Sequence, residues 1–125
     1  MTVNDVIAEV ETTLPNSVER DIKIVWLSRC ERRIVDEALS RYPEFEEDKG
    51  FIGYDKDADG ASVLKAPMPY DELYVHYIKA QIYLILHEQT HYNNEINLFN
   101  SLLADYKVYL NRRYRPGGVS KYRIR

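Results

Sequence analysis

Apolar residues in the first third of the chain recur at helical spacing in two runs. Val3, Val6, Ile7, Val10 and Leu14 form one stripe, which predicts a helix from about Val3 to Thr13. Pro15 stops it, because a residue that precedes proline is pushed out of the helical region. Asn16 then reads as an N-cap, with Glu19 three residues on completing a capping-box pair. The second run is Val18, Ile22, Val25, Trp26, Cys30, Ile34, Ala38 and Leu39, and predicts a helix that ends near Tyr42-Pro43. Two helices joined by a short proline turn are expected to pack antiparallel.

The pattern then breaks. Gly50, Gly53, Gly60, Pro67 and Pro69 interrupt the stretch 44–69, and Phe51–Tyr54 and Ala61–Leu64 flank a turn-rich Asp55–Gly60 segment. This predicts an insertion, either a short β-hairpin turning at Asp59-Gly60 or an extended loop.

From Asp71 to Tyr114 there is neither glycine nor proline. Val75, Ile78, Ile82, Ile85, Gln89, Tyr92, Ile96, Phe99, Leu103, Tyr106 and Leu110 follow one another at intervals of three and four, the seam of a helix laid along another helix. Unbroken, such a helix would span ~65 Å at 1.5 Å per residue. A compact domain of this length is about 35 Å across. So the helix either projects from the domain or breaks, and Tyr92-Asn93-Asn94 is the expected place. Tyr77, Leu84, His91, Leu98, Leu102 and Tyr109 make a weaker stripe on the far side. One stripe serves the core, and a second needs another partner. Tyr77, Leu84, Leu98, Leu102 and Tyr109 are therefore the candidate oligomer interface.

The fold class is thus mainly α. It is a small helical bundle over residues 1–116 with one very long, continuous or broken, C-terminal helix, and a hairpin or loop inserted at about 44–69. Residues 117–125 form a basic tail. The 125 residues, 45% hydrophobic and 30% charged, suit one globular domain with a thin core. Eleven tyrosines against three phenylalanines and one tryptophan suit half-wet surfaces and subunit contacts. One cysteine allows no internal disulfide, and neither a signal peptide nor a membrane span is read, so a cytoplasmic setting is expected. The net charge of −3 is unevenly spread: Arg112, Arg113, Arg115, Lys121, Arg123 and Arg125 stand at the end without an acid among them. A negative body with a positive end points to nucleic-acid contact or to head-to-tail contact between copies.

Two short motifs look chemical. His87-Glu88-Gln89-Thr90-His91 matches the HExxH signature, in which two histidines one helical turn apart grip zinc and the glutamate activates a water. No third ligand has a recognisable spacing, and His87 falls on the side away from the Ile82–Ile85 seam. His87 and His91 read as surface residues, with an incidental metal site or a small zinc-dependent metallopeptidase as the competing readings. Asp55-Lys56-Asp57-Ala58-Asp59-Gly60 matches the first half of a calcium loop, but Ala66 stands where the bidentate glutamate belongs, so an acidic turn is expected. Trp26 and Cys30 read as core. There is no glycine-rich phosphate loop or nucleophile set, and neither an enzyme activity nor a cofactor is expected.

Three segments carry a family pattern. The first runs from Leu14-Pro15-Asn16-Ser17 through Lys23–Ser28 to Arg33-Ile34-Val35. The second is Gly53-Tyr54-Asp55 followed by Ala66-Pro67-Met68-Pro69-Tyr70-Asp71-Glu72-Leu73-Tyr74-Val75-His76-Tyr77. The third is Tyr92-Asn93-Asn94, then Leu98-Phe99-Asn100 and Asn111-Arg112-Arg113-Tyr114-Arg115-Pro116. In this order they resemble small tailed-phage and prophage proteins of the head–tail connector (adaptor, neck) family. The pattern departs at Ile82–Thr90, where a more polar run is usual. The resemblance implies a helical subunit of a ring that joins portal to tail. Its partners would be other copies, the portal and tail-side neck proteins, with non-specific contact to packaged DNA. It implies residence in the host cytoplasm during assembly and in the virion neck afterwards. A nucleic-acid-binding module using the basic end remains a further alternative.

Overall fold

A computed structural model describes residues 1–116 and shows a mainly helical bundle. Helix α1 covers Val3–Thr13 and α2 covers Arg20–Ile34, continued by a π-helical turn at Val35–Leu39. A 3-10 helix follows at Pro43–Gly50, and α3 (Glu72–Ile85) and α4 (Gln89–Arg113) close the fold. One contiguous core draws on every α-helix, with α3 in contact with the other three.

Helix α1 starts where the stripe predicts because its first amides are all partnered. The Thr2 hydroxyl accepts the Asp5 N–H, and the Asp5 carboxylate accepts the Thr2 N–H. The Val3 and Asn4 amides donate to the carbonyls of Ser62 and Gly60, at 3.1 and 2.9 Å. These are donors that a helix start otherwise leaves unpaired. A Cβ at Gly60 would lie 2.8 Å from the exposed Asn4 carboxamide, so a larger residue there would require that side chain to shift.

The insertion is a loop and not a hairpin. Its only strand-like pairing among the described residues is a single antiparallel bridge between Val63 and Thr2. The residues expected to form a second strand are spent on capping α1, and two turns at Asp55–Asp59 and Asp59–Ser62 carry the chain there.

Helix α2 begins three residues later than expected, with Glu19 rather than Asn16 at the N-cap position. The Asn16 carboxamide accepts the Val18 N–H and donates to the Leu14 carbonyl, so it holds the proline turn and caps nothing. The buried face also differs from the predicted one. Ile24, Leu27, Cys30, Ile34, Ala38 and Leu39 are buried, together with Lys23 and Glu31, whereas Ile22 and Val25 face outward. Lys23 threads its stem through the core to pair with Glu11. Glu31 accepts hydrogen bonds from the hydroxyls of Tyr54 and Tyr74 and from the Lys65 amide.

Helices α3 and α4 form an antiparallel hairpin, and the expected break lies at Leu86–Glu88 rather than at Tyr92–Asn94. The His87 amide donates to Leu84 and the Glu88 amide to Tyr83, with His87 at φ 58°. That is the Schellman ending, here with histidine in the left-handed position where glycine is usual. Val75, Ile78 and Ile82 then meet Phe99, Leu103, Tyr106 and Leu110. Ile85 and Gln89, predicted in the seam, are exposed at the tip of the hairpin. Glu95 is buried between the two helices and held by His76 at 3.1 Å and Lys79 at 3.3 Å. Where α4 passes α2, Arg33 lies 5.1 Å over the Phe99 ring and Lys107 pairs with Glu37.

The junction of α1 and α3 sets Glu72 against Glu9. Partial burial, a hydrogen bond shared with Glu9 and the charges of Glu9 and Asp71 push the Glu72 carboxyl up from 4.5 to about 7, against the pull of Lys79. A carboxyl whose pKa is raised on folding stabilises fully below its unfolded pKa, and that contribution is lost as pH rises through the folded one. The urea midpoint is therefore expected to fall between about pH 5 and pH 8, and Glu72→Gln is expected to flatten that fall. A wild-type slope unchanged by the substitution would show that the pair does not titrate this way.

Candidate functional site

The HExxH signature does not form its helix. A zinc grip needs both histidines on one continuous turn, but His87 ends α3 in the left-handed conformation and His91 lies in the first turn of α4. The His91 ring stacks on Tyr83, with centroids 4.9 Å apart and planes at 22°. Among the described residues no three His, Cys, Asp or Glu side chains converge on a metal-sized point. The acidic turn likewise directs its oxygens inward. The Asp55 carboxylate accepts the Asp57 and Ala58 amides at 2.8 Å each, which hold it below its usual range, and Asp59 accepts the Asp55 amide at 2.6 Å. Cys30 is wholly buried, and burial pushes its thiol up.

The second stripe divides. Tyr77 packs its ring 5.3 Å from Phe99, Tyr109 packs 5.4 Å from Tyr70, and Leu102 is half-buried against the same core. These three belong to the rim of the subunit's own core and not to a separate far side. Leu84 and Leu98 remain, each 48% exposed. The hairpin tip adds Ile85 and Leu86, both 54% exposed, which periodicity did not select as surface. The signal was present, since three consecutive apolar residues cannot all face one side of a helix.

A second exposed apolar region lies on α2. Val25 is half exposed and Ile52 stands 96% exposed beside it. Between them a groove of about 400 Å³ is lined by Val25, Ser28, Arg29, Arg32, Ile52, Gly53 and Tyr54. Gly53 bends the groove wall at φ 152°, and the Tyr54 amide is pinned to the Ser28 hydroxyl at 2.9 Å. The molecule thus presents an apolar knob at one place and an apolar groove at another.

Arg112, Arg113 and Arg115 are exposed at the C-terminal end of α4; Lys121, Arg123 and Arg125 lie outside the described residues. Tyr114 sits 5.1 Å from Phe45 and 6.0 Å from Tyr42, so the acidic Pro43–Gly50 helix lies beside the basic end of the same chain. No helix among the described residues is long and apolar enough to cross a membrane. Comparison with protein-family models, with curated proteins and with solved structures found no match.

His87→Ala and His91→Ala are expected to move stability by no more than about 0.5 kcal/mol, because both side chains are exposed. His87→Gly is expected to raise it by about 1 kcal/mol, relieving the left-handed strain. Chemical denaturation distinguishes these outcomes; no gain with glycine would contradict the cap assignment, and a large loss in either alanine variant would contradict the exposed placement of that side chain.

Proposed function

We propose that this chain is a structural subunit of a phage or prophage head–tail connector ring, acting by shape and assembly rather than by bond chemistry. The observation that carries the reading is the pairing of an exposed apolar tip, Leu84-Ile85-Leu86, with an exposed apolar groove at Val25, Ile52 and Tyr54. A knob and a groove on different parts of one molecule make a heterologous contact, and such a contact repeated through a closing rotation gives a ring. Solvent-exposed apolar surface of this kind marks interaction sites. The sequence resemblance to connector proteins supplies the setting, with the portal and tail-side neck proteins as the further partners.

The tip supplies most of the binding energy in this contact. Burying a leucine fully stabilises by roughly 1.5–3 kcal/mol. Leu84→Glu with Leu86→Glu is therefore expected to abolish assembly on the neighbouring portal protein, with the melting curve of the free subunit unchanged. Ile52→Glu is expected to do the same from the groove side. Sedimentation with and without the portal reads both. Full-sized complexes from either variant would contradict the knob-and-groove contact, and a subunit that never joins the portal would contradict the connector reading.

A further inference from the structure

Three arginines lie within little more than one turn of α2, and two of them have local partners. Arg32 and Arg33 each pair with the acid four residues on, Asp36 at 2.7 Å and Glu37 at 2.6 Å. Arg32 also donates to the Lys49 and Phe51 carbonyls. Arg29 has Arg33 where its acid would be; it is exposed and forms no ion pair among the described residues. It lines the groove together with Val25 and Ile52. Glu88 is its counterpart at the hairpin tip. Histidines apart, it is the one charged residue between Lys79 and Glu95. It too is exposed and forms no ion pair among the described residues. Its amide donates to the Tyr83 carbonyl at 3.0 Å, which holds it beside the last turn of α3 and next to Leu84–Leu86.

We propose that Glu88 of one copy pairs with Arg29 of the next as the tip enters the groove, and that this ion pair sets the register of the contact. The pairing rests on the knob-and-groove reading and adds its register and direction. The spacings on the two sides agree. Arg29 follows Val25 by one turn of α2, ~6 Å at 1.5 Å per residue. Glu88 follows Leu86 by two residues, at most ~7 Å of chain. With Leu86 seated between Val25 and Ile52, the carboxylate falls within reach of the guanidinium.

Charge also fixes the direction. Asp21, Val25 and Arg29 follow at intervals of four along one face of α2, so the apolar position has an acid on one side and a base on the other. A tip docked the opposite way would set Glu88 against Asp21, whose partner among the described residues is Lys56 at 3.4 Å. Like charges set together suppress that pairing. Exposed ion pairs add little affinity, so the apolar side chains supply the attraction. The hydrogen bond from the Tyr54 amide to Ser28 holds the loop at Ile52 before the tip arrives, so little order is lost on docking.

Two full-length chains that keep one half each isolate a single contact. Leu84→Glu with Leu86→Glu keeps only the groove, and Ile52→Glu keeps only the tip. Mixed, they are expected to form a one-to-one pair and nothing larger, read by NMR titration of the isotope-labelled groove chain and by sedimentation. Arg29→Glu added to the groove chain is expected to weaken the pair roughly tenfold. Glu88→Arg added to the tip chain is expected to recover it, which also shows that the Arg29→Glu chain is folded. No pair from the two parent chains, or growth beyond a pair, would overturn the knob-and-groove contact and its register together. A parent pair that Arg29→Glu does not weaken, or that Glu88→Arg fails to recover, would overturn the register and leave the knob-and-groove reading standing.

Discussion

The Glu31 carboxylate, wholly removed from solvent in the last turn of α2, holds the surrounding segments in place. It accepts the Tyr54 hydroxyl at 2.6 Å, the Tyr74 hydroxyl at 2.7 Å and the Lys65 amide at 3.0 Å. The Tyr74 oxygen in turn accepts the Ala66 amide at 2.9 Å. Hydrogen bonds to a charged group are worth about 1.5–3 kcal/mol each, and a buried carboxylate that lacks them costs several kcal/mol. The arrangement holds only if all three donors are present. Burial and the Glu31 charge push both tyrosine hydroxyls up, which keeps them as donors. One side chain thereby locks α2, the 51–66 loop and α3 to each other.

The rest of the architecture follows from that lock. A loop of this length with a single backbone bridge would not order itself. Fixed at Tyr54, Lys65 and Ala66, it presents the Gly60 and Ser62 carbonyls to the open end of α1 and holds Ile52 out beside the α2 groove. Helix α4 is joined differently. It packs on α3 and on the end of α2 through Phe99, Leu103, Tyr106 and Leu110, and nothing among the described residues covers its other side. Of the exposed apolar surfaces, the lock displays the one at Ile52, while the hairpin tip at Leu84–Leu86 is left open because the core does not need it.

Much of this was legible in the chain, and what was not has particular causes. The bounds of α1 could be read because its stripe is clean and proline ends it. The face of α2 could not, because two of its buried positions are Lys23 and Glu31, which count as polar in any pattern. Their partners, Glu11, Tyr54, Tyr74 and Lys65, lie far away in sequence or on other elements. The break between α3 and α4 was misplaced because no glycine or proline marks it; the left-handed residue is His87, which the HExxH match had placed inside a helix. Tyr77, Leu102 and Tyr109 were read as a separate face because a helical wheel does not show how widely tyrosine rings and α2 wrap the seam. The negative body and the positive end pointed to contact between copies, yet Phe45 and Tyr114 already set the acidic Pro43–Gly50 helix beside the end of α4 within one chain.

The lock is tested most directly by native-state hydrogen exchange at Lys65 and Ala66. If Glu31 and Tyr74 hold these amides as described, both are expected to exchange only with global unfolding, at the same opening free energy as the core amides of α3 around Ile78. Exchange of Lys65 and Ala66 at the rate of the exposed Lys56–Ala58 turn would show a loop that opens on its own, and would contradict the central role assigned to the buried carboxylate.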